Sequence, residues 1–231
     1  MKKIIYLLTV MPVILISACK ESVQLPEPKS FVFDFEQHED GWIAGFADYP
    51  VGEEDFYELS FEYSHLPEPL SAQGALKISG NNHSDDLFMF VKKKVTGLKP
   101  NTLYEVKIKV ELASNVPDGT FGVGGSPGEG VYVKVGASQT EPQKIIGDDN
   151  HYRMNIDKGN QSQSGENMVT VGNFANGTSK EEYVLITRQN TDQKLKVQSN
   201  AQGEAWVIVG TDSGFEATST VYYNRITIDF R

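Results

Sequence analysis

A period of two constrains this chain more than any other feature. From Leu103 to Leu112 the sequence runs Leu-Tyr-Glu-Val-Lys-Ile-Lys-Val-Glu-Leu, so apolar Val106, Ile108, Val110 and Leu112 alternate with charged neighbours. Successive side chains of a strand point to opposite faces, and this pattern therefore predicts one buried and one wet face, as in an antiparallel sheet. The same reading fits Phe31–Glu36, Phe56–Tyr63, Ala75–Ser79, Leu87–Val95, Val131–Ala137, Tyr183–Arg188, Lys194–Gln198, Ala205–Val209 and Tyr222–Phe230. Turn clusters such as Gly97-Leu98-Lys99-Pro100-Asn101 and Pro117-Asp118-Gly119 punctuate them. No stretch shows capped helical spacing. About ten strands at this spacing predict an all-β domain, a single antiparallel β-sandwich, over residues 31–231. Its first and last strands are expected to pair.

The chain begins differently. Lys2 and Lys3 precede an apolar run from Ile4 to Ile16, and Ser17-Ala18-Cys19 follows. The run has the length of a secretory h-region and falls short of the roughly 20 residues a spanning helix needs. Ile16-Ser17-Ala18-Cys19 resembles the lipobox of bacterial lipoproteins. That resemblance implies a signal peptide over 1–18, lipidation of Cys19, and a membrane partner reached through the N-terminal lipid. Residues 19–30, with Pro26, Pro28, Glu21 and Glu27, have little to bury and are expected to form a tether. Lys20 is not the aspartate that commonly retains lipoproteins at an inner membrane. A cell-envelope location is therefore expected, with the outer membrane favoured.

Cys19 is the only cysteine, so cysteine nucleophiles, disulfides and cysteine-based zinc sites are excluded from the exported part. Loss of Lys2 and Lys3 would take the formal charge from −10 to −12. Such an acidic surface repels nucleic acid and disfavours strongly anionic polysaccharides. The glycine-rich Phe121–Gly130 stretch runs into Pro127 and the strand-like Val131–Val135, with no helix N-terminus to receive phosphates. Nucleotide binding is not expected.

Phe33-Asp34-Phe35-Glu36 followed by Gly41-Trp42, the Val95–Tyr104 strand-turn-strand passage and the closing Ile226-Thr227-Ile228-Asp229-Phe230 are similar to segments of carbohydrate-binding-module and galactose-binding-like jelly rolls. The resemblance implies a jelly-roll fold and a polysaccharide or oligosaccharide partner. It also implies a structural calcium near the terminal strands, with Asp34, Glu36 and Asp229 as ligands; no other cofactor is expected.

Three loops carry candidate binding groups. Trp42, Phe46 and Tyr49 could stack on a sugar with Asp48 as acceptor, although Trp42 also reads as a core residue at a strand end. Asn82 and His83 lie in the polar run Ser79–Asp86, which fits sugar binding, calcium ligation or ordinary turn chemistry. The densest polar segment is Gly147–Gln161. If His151–Asn155 is extended, His151, Arg153 and Asn155 share one face while Tyr152 and Met154 face the core. With Asp157, Lys158, Asn160 and Gln161 close by, this is the leading candidate site.

An enzyme reading stays open. A glycoside hydrolase needs two carboxylates across a cleft, and the acidic doublets cannot themselves be such pairs because neighbours on a strand face opposite ways. Tyr132-Val133-Lys134-Val135-Gly136 faintly resembles a segment of alginate-lyase-like sandwiches, but the Arg-rich and Gln-Ile-His motifs expected beside it are missing. Non-catalytic glycan binding is the expected function. A jelly-roll polysaccharide lyase, a glycoside hydrolase, or a surface adhesion or assembly module that contacts protein are the alternatives.

Overall fold

The computed structural model describes residues 26–231. The expected signal peptide 1–18, the expected lipidation at Cys19 and the first part of the expected tether, up to residue 25, lie outside the described residues. Among those described there is no helix, and fourteen strands form: β1 (Lys29–Phe33), β2 (Ile43–Ala47), β3 (Ser60–His65), β4 (Gly74–Asn81), β5 (Leu87–Val95), β6 (Leu103–Ser114), β7 (Val131–Ser138), β8 (Lys144–Ile146), β9 (Tyr152–Met154), β10 (Met168–Asn173), β11 (Val184–Gln189), β12 (Leu195–Gln198), β13 (Ala205–Ser213) and β14 (Thr218–Phe230).

Two antiparallel sheets pack face to face. One runs β11-β6-β14-β4-β3, with β12 also pairing β6 and β1 also pairing β14. The other is five-stranded, in the order β10-β7-β13-β5-β2. The expected pairing of the chain's first and last strands is present, with Phe31 opposite Ile228 and Phe33 opposite Ile226. The alternation seen in the sequence becomes the inter-sheet core. Val106, Ile108, Val110 and Leu112 of β6 meet Val131, Val133 and Val135 of β7 and Val207 and Val209 of β13 in one buried cluster. Each such buried side chain contributes roughly 1.5–3 kcal/mol by leaving water.

Strand boundaries depart from the sequence reading where side chains serve another end. Phe56 and Tyr57 belong to the β2–β3 turn region, and the strand starts only at Ser60. β2, β8 and β10 went unpredicted because they lack clean alternation of apolar and polar residues. β2, for example, reads Ile-Ala-Gly-Phe-Ala.

The outer face of the five-stranded sheet positions the site. Phe88 and Phe90 of β5, Ile208 of β13, Met168 and Ala47 form a second buried cluster there. The β7–β10 connection, residues 139–167, folds back over it and places Met154 and Ile156 against these side chains. Phe90 lies opposite both Gly45 and Gly210. A Cβ at Gly45 would sit 2.3 Å from the Phe90 ring, so glycine there is what lets the aromatic lie down on the sheet. The covering segment carries the β8–β9 hairpin and bonds to the β2–β3 loop, with the Asp48 amide donating to the Tyr152 carbonyl at 2.7 Å.

Candidate functional site

Where the covered part of this face ends, charged groups from five segments meet. Asp48 follows the last residue of β2, and Asp86 precedes the first of β5. Lys134 projects from β7 between core valines, and Asp212 from near the end of β13, both on the outer face. Lys158 and Arg153 come from the covering segment. Asp48 has φ +65°, the left-handed region that costs a non-glycine residue roughly 1–3 kcal/mol unless its surroundings hold it there. Here its carboxylate is held by two cations.

Lys134 and Asp212 are fully buried, and Asp48 and Lys158 nearly so. The Lys134 ammonium donates to the carbonyls of Lys158 (2.8 Å) and Gln163 (2.9 Å) and lies 3.1 Å from Asp212 Oδ2. Lys158 Nζ lies 2.8 Å from that same oxygen and 2.9 Å from Asp48 Oδ2. The Gln161 amide adds a third donor to Asp212 Oδ2, at 2.9 Å. Arg153 Nη1 donates to Asp48 Oδ1 at 3.2 Å and stands 4.0 Å from Asp86 Oδ2, while its Nη2 is paired with Asp149.

Burial shapes the titration of these groups. Asp86 is pushed up to about 7, first by desolvation and then by the charges of Asp48 and Asp212, with Lys158 and Arg153 opposing. Desolvation also pushes the Lys134 ammonium down, against the pull of Asp212. For Lys158 burial acts the same way, but Asp212 and Asp48 outweigh it and hold the pKa above the ordinary lysine value.

Above this cluster opens a cleft of about 400 Å³ lined by Asp48, Asp86, Arg153, Met154, Ile156, Asp157, Lys158, Gly159 and Asn160. The volume is within the range of small-molecule sites, roughly 300–1,000 Å³. The cleft offers carboxylates, a guanidinium, an amide and an apolar wall. A groove of similar volume on the other sheet, about 380 Å³, is lined partly by Asn190 and Lys107. Those two side chains are committed to backbone groups of Val106, Ile108, Asn190 and Thr191, which leaves less of their hydrogen-bonding capacity for a ligand.

Five residues nominated from the sequence line the cleft: Asp48, Arg153, Asp157, Lys158 and Asn160. Others are placed elsewhere. Trp42 is buried edge-on between Phe33 and Phe35, at 5.4 and 6.1 Å between ring centroids, so the core reading holds and the stacking platform does not form. Tyr49 is likewise buried, between Tyr57 and Tyr152, with its hydroxyl bonded to Lys144 and Glu54. Phe46 packs against the inter-sheet core. Asn82 is buried and donates to the carbonyls of Ser213 and Phe215. Asn155 fastens the covering segment to itself through Gln143 and Glu141, and Gln161 ties it to the Asp85 carbonyl. His151 bonds to the Asp149 carbonyl and does not line the cleft. His83 is exposed and stacked on Phe56 at 4.0 Å. Asp34, Glu36 and Asp229 are not brought within mutual ligand reach. The one trio of carboxylates that is, among the described residues, is Asp48, Asp86 and Asp212. Lys134 was missed because it alternates with valines and reads as solvent-facing, and Asp212 because it lies in the polar run Thr211-Asp212-Ser213, past the expected strand end at Val209.

No known family profile matches this sequence, and no curated protein matches it. Several solved structures are similar to this one over most of its length. The carbohydrate-binding module TmCBM61 in complex with beta-1,4-galactotriose has a TM-score of 0.34 and 9% identity, over 82% of this chain and 88% of that one. A putative sugar binding protein from Bacteroides thetaiotaomicron gives 0.40 and 10%, over 82% and 88%. The K1 cleaved adhesin domain of Lys-gingipain from Porphyromonas gingivalis gives 0.38 and 10%, over 87% and 97%.

Proposed function

We propose that this chain is a lipid-anchored, exported β-sandwich that binds glycan without cleaving it, through the cleft on the outer face of its five-stranded sheet. The observation that carries this reading is the meeting of Asp48, Asp86, Arg153 and Asn160 at one opening above a buried ionic base. Sugars present many hydroxyls that both donate and accept. A site mixing carboxylate acceptors with guanidinium and amide donors answers that chemistry, whereas a phosphate or uronate site would be dominated by cations. The acids around the cleft outnumber its exposed cation, which favours neutral or amino sugars.

A glycan array followed by calorimetry on the hits tests this. Binding to a neutral or amino oligosaccharide that is lost in Arg153→Ala is the expected result. An array without hits, or a hit that Arg153→Ala and Asn160→Ala leave untouched, would overturn the reading. The anchor is tested separately: Cys19→Ala should abolish lipid labelling and shift the protein out of the membrane fraction.

A further inference from the structure

Asp48, Asp86 and Asp212 each bring one carboxylate oxygen within 4.8 Å of the other two, and we propose that the trio holds a small hard divalent cation, calcium or magnesium, beneath the floor of the cleft. Proximity of acids alone would be weak support. The stronger support is an unmet demand: Asp212 Oδ1 is buried with no hydrogen-bond partner, and so is Asp86 Oδ1. Asp212 itself is 0% exposed. A buried polar atom left without a partner costs roughly 1–3 kcal/mol, more when charged, and native structures rarely leave one unexplained.

The neighbouring lysines do not meet that demand. Lys134, Lys158 and the Gln161 amide all converge on Asp212 Oδ2, and none reaches Oδ1. Two buried ammoniums face three carboxylates, and Arg153 is shared with exposed Asp149. Arg153 also pairs with Asp48, so the trio is only partly matched by the cations around it. The ligands are all oxygens, the set a hard divalent ion prefers, and the cleft side of the trio is open to water or sugar hydroxyls that would complete its shell. The three ligands come from just past the end of β2, just before β5 and the C-terminal end of β13, so the ion would also tie three strands together. This inference does not depend on the glycan reading.

The test is calorimetry of CaCl₂ and of MgCl₂ into the full chain, stripped with EDTA, alongside thermal melts with and without each metal. One saturable site is expected, with a Kd on the order of 10⁻⁴–10⁻³ M or tighter and a rise in Tm. Asp86→Asn, on a loop and therefore tolerated by the fold, should weaken binding at least about tenfold. Asp34→Asn/Asp229→Asn should bind as the parent does. No saturable binding of either metal, or binding that survives Asp86→Asn, overturns the proposal. Loss in the Asp34/Asp229 variant alone would overturn it too, by placing the ion at the terminal strands. If metal binding is absent while glycan binding persists, only the cation proposal falls.

Discussion

Lys134→Met is the sharpest probe of the ionic base. The ammonium is fully buried and holds two carbonyls of the covering segment, those of Lys158 and Gln163, as well as facing Asp212. Methionine fills much of the lysine stem but donates nothing. Breaking a buried ion pair from one side costs roughly 3–5 kcal/mol. The lower end, about 3 kcal/mol, is expected here because Asp212 Oδ2 keeps Lys158 and the Gln161 amide as donors. Losing the buried ammonium also removes its own desolvation penalty. For a domain of this size that corresponds to a fall in Tm of about 6–12 °C. The loss should be local in origin, so hydrogen exchange at residues 158–163 should rise before the inter-sheet core loosens. Adding Asp212→Leu should cost less than the sum of the two single changes, with a coupling of about 1–3 kcal/mol. A Tm for Lys134→Met within about 2 °C of the parent, or strict additivity in the cycle, would refute the account of this cluster as a clamp.

Other outcomes follow from single contacts. Gly45→Ala places a Cβ 2.3 Å from the Phe90 ring and should destabilise by about 1–3 kcal/mol in a denaturant titration; an unchanged midpoint would show that Phe90 is free to move aside. Glu141 accepts a 2.7 Å bond from nearly buried Lys92, and that bond lowers its pKa from the ordinary 4.5. A depressed carboxylate stabilises the fold above its unfolded pKa, and this contribution disappears as pH falls through the folded value. The Tm gap between parent and Glu141→Gln should therefore be present at neutral pH and close in acid well below pH 4.5. A gap of the same size in acid would exclude the ion pair as its cause.

What the sequence revealed and concealed follows from how far each signal reaches along the chain. A strand with one wet face announces itself locally, which is why Leu103–Leu112 and the terminal strands could be placed before any coordinates. The polar run from Arg153 to Asn160 was equally visible, because a long connection rich in hydrogen-bonding side chains between two strands has few purely structural uses. Lys134 and Asp212 were not. Lys134 alternates with valines just as a solvent-facing residue does, Asp212 sits in the polar Thr211-Asp212-Ser213 run past the expected strand end, and whether that face meets water depends on residues 139–167 folding back over it. One local sign of that cover exists in Leu87-Phe88-Met89-Phe90-Val91, a run with no polar alternate, which a strand shows when both its faces are buried. Because β13 lies beside β5, burial of the outer face of one implies burial on the other. A charged residue on that covered face then needs a partner of opposite sign there. The apolar run thus marks Asp212 and Lys134 as a buried pair rather than two solvent-facing residues.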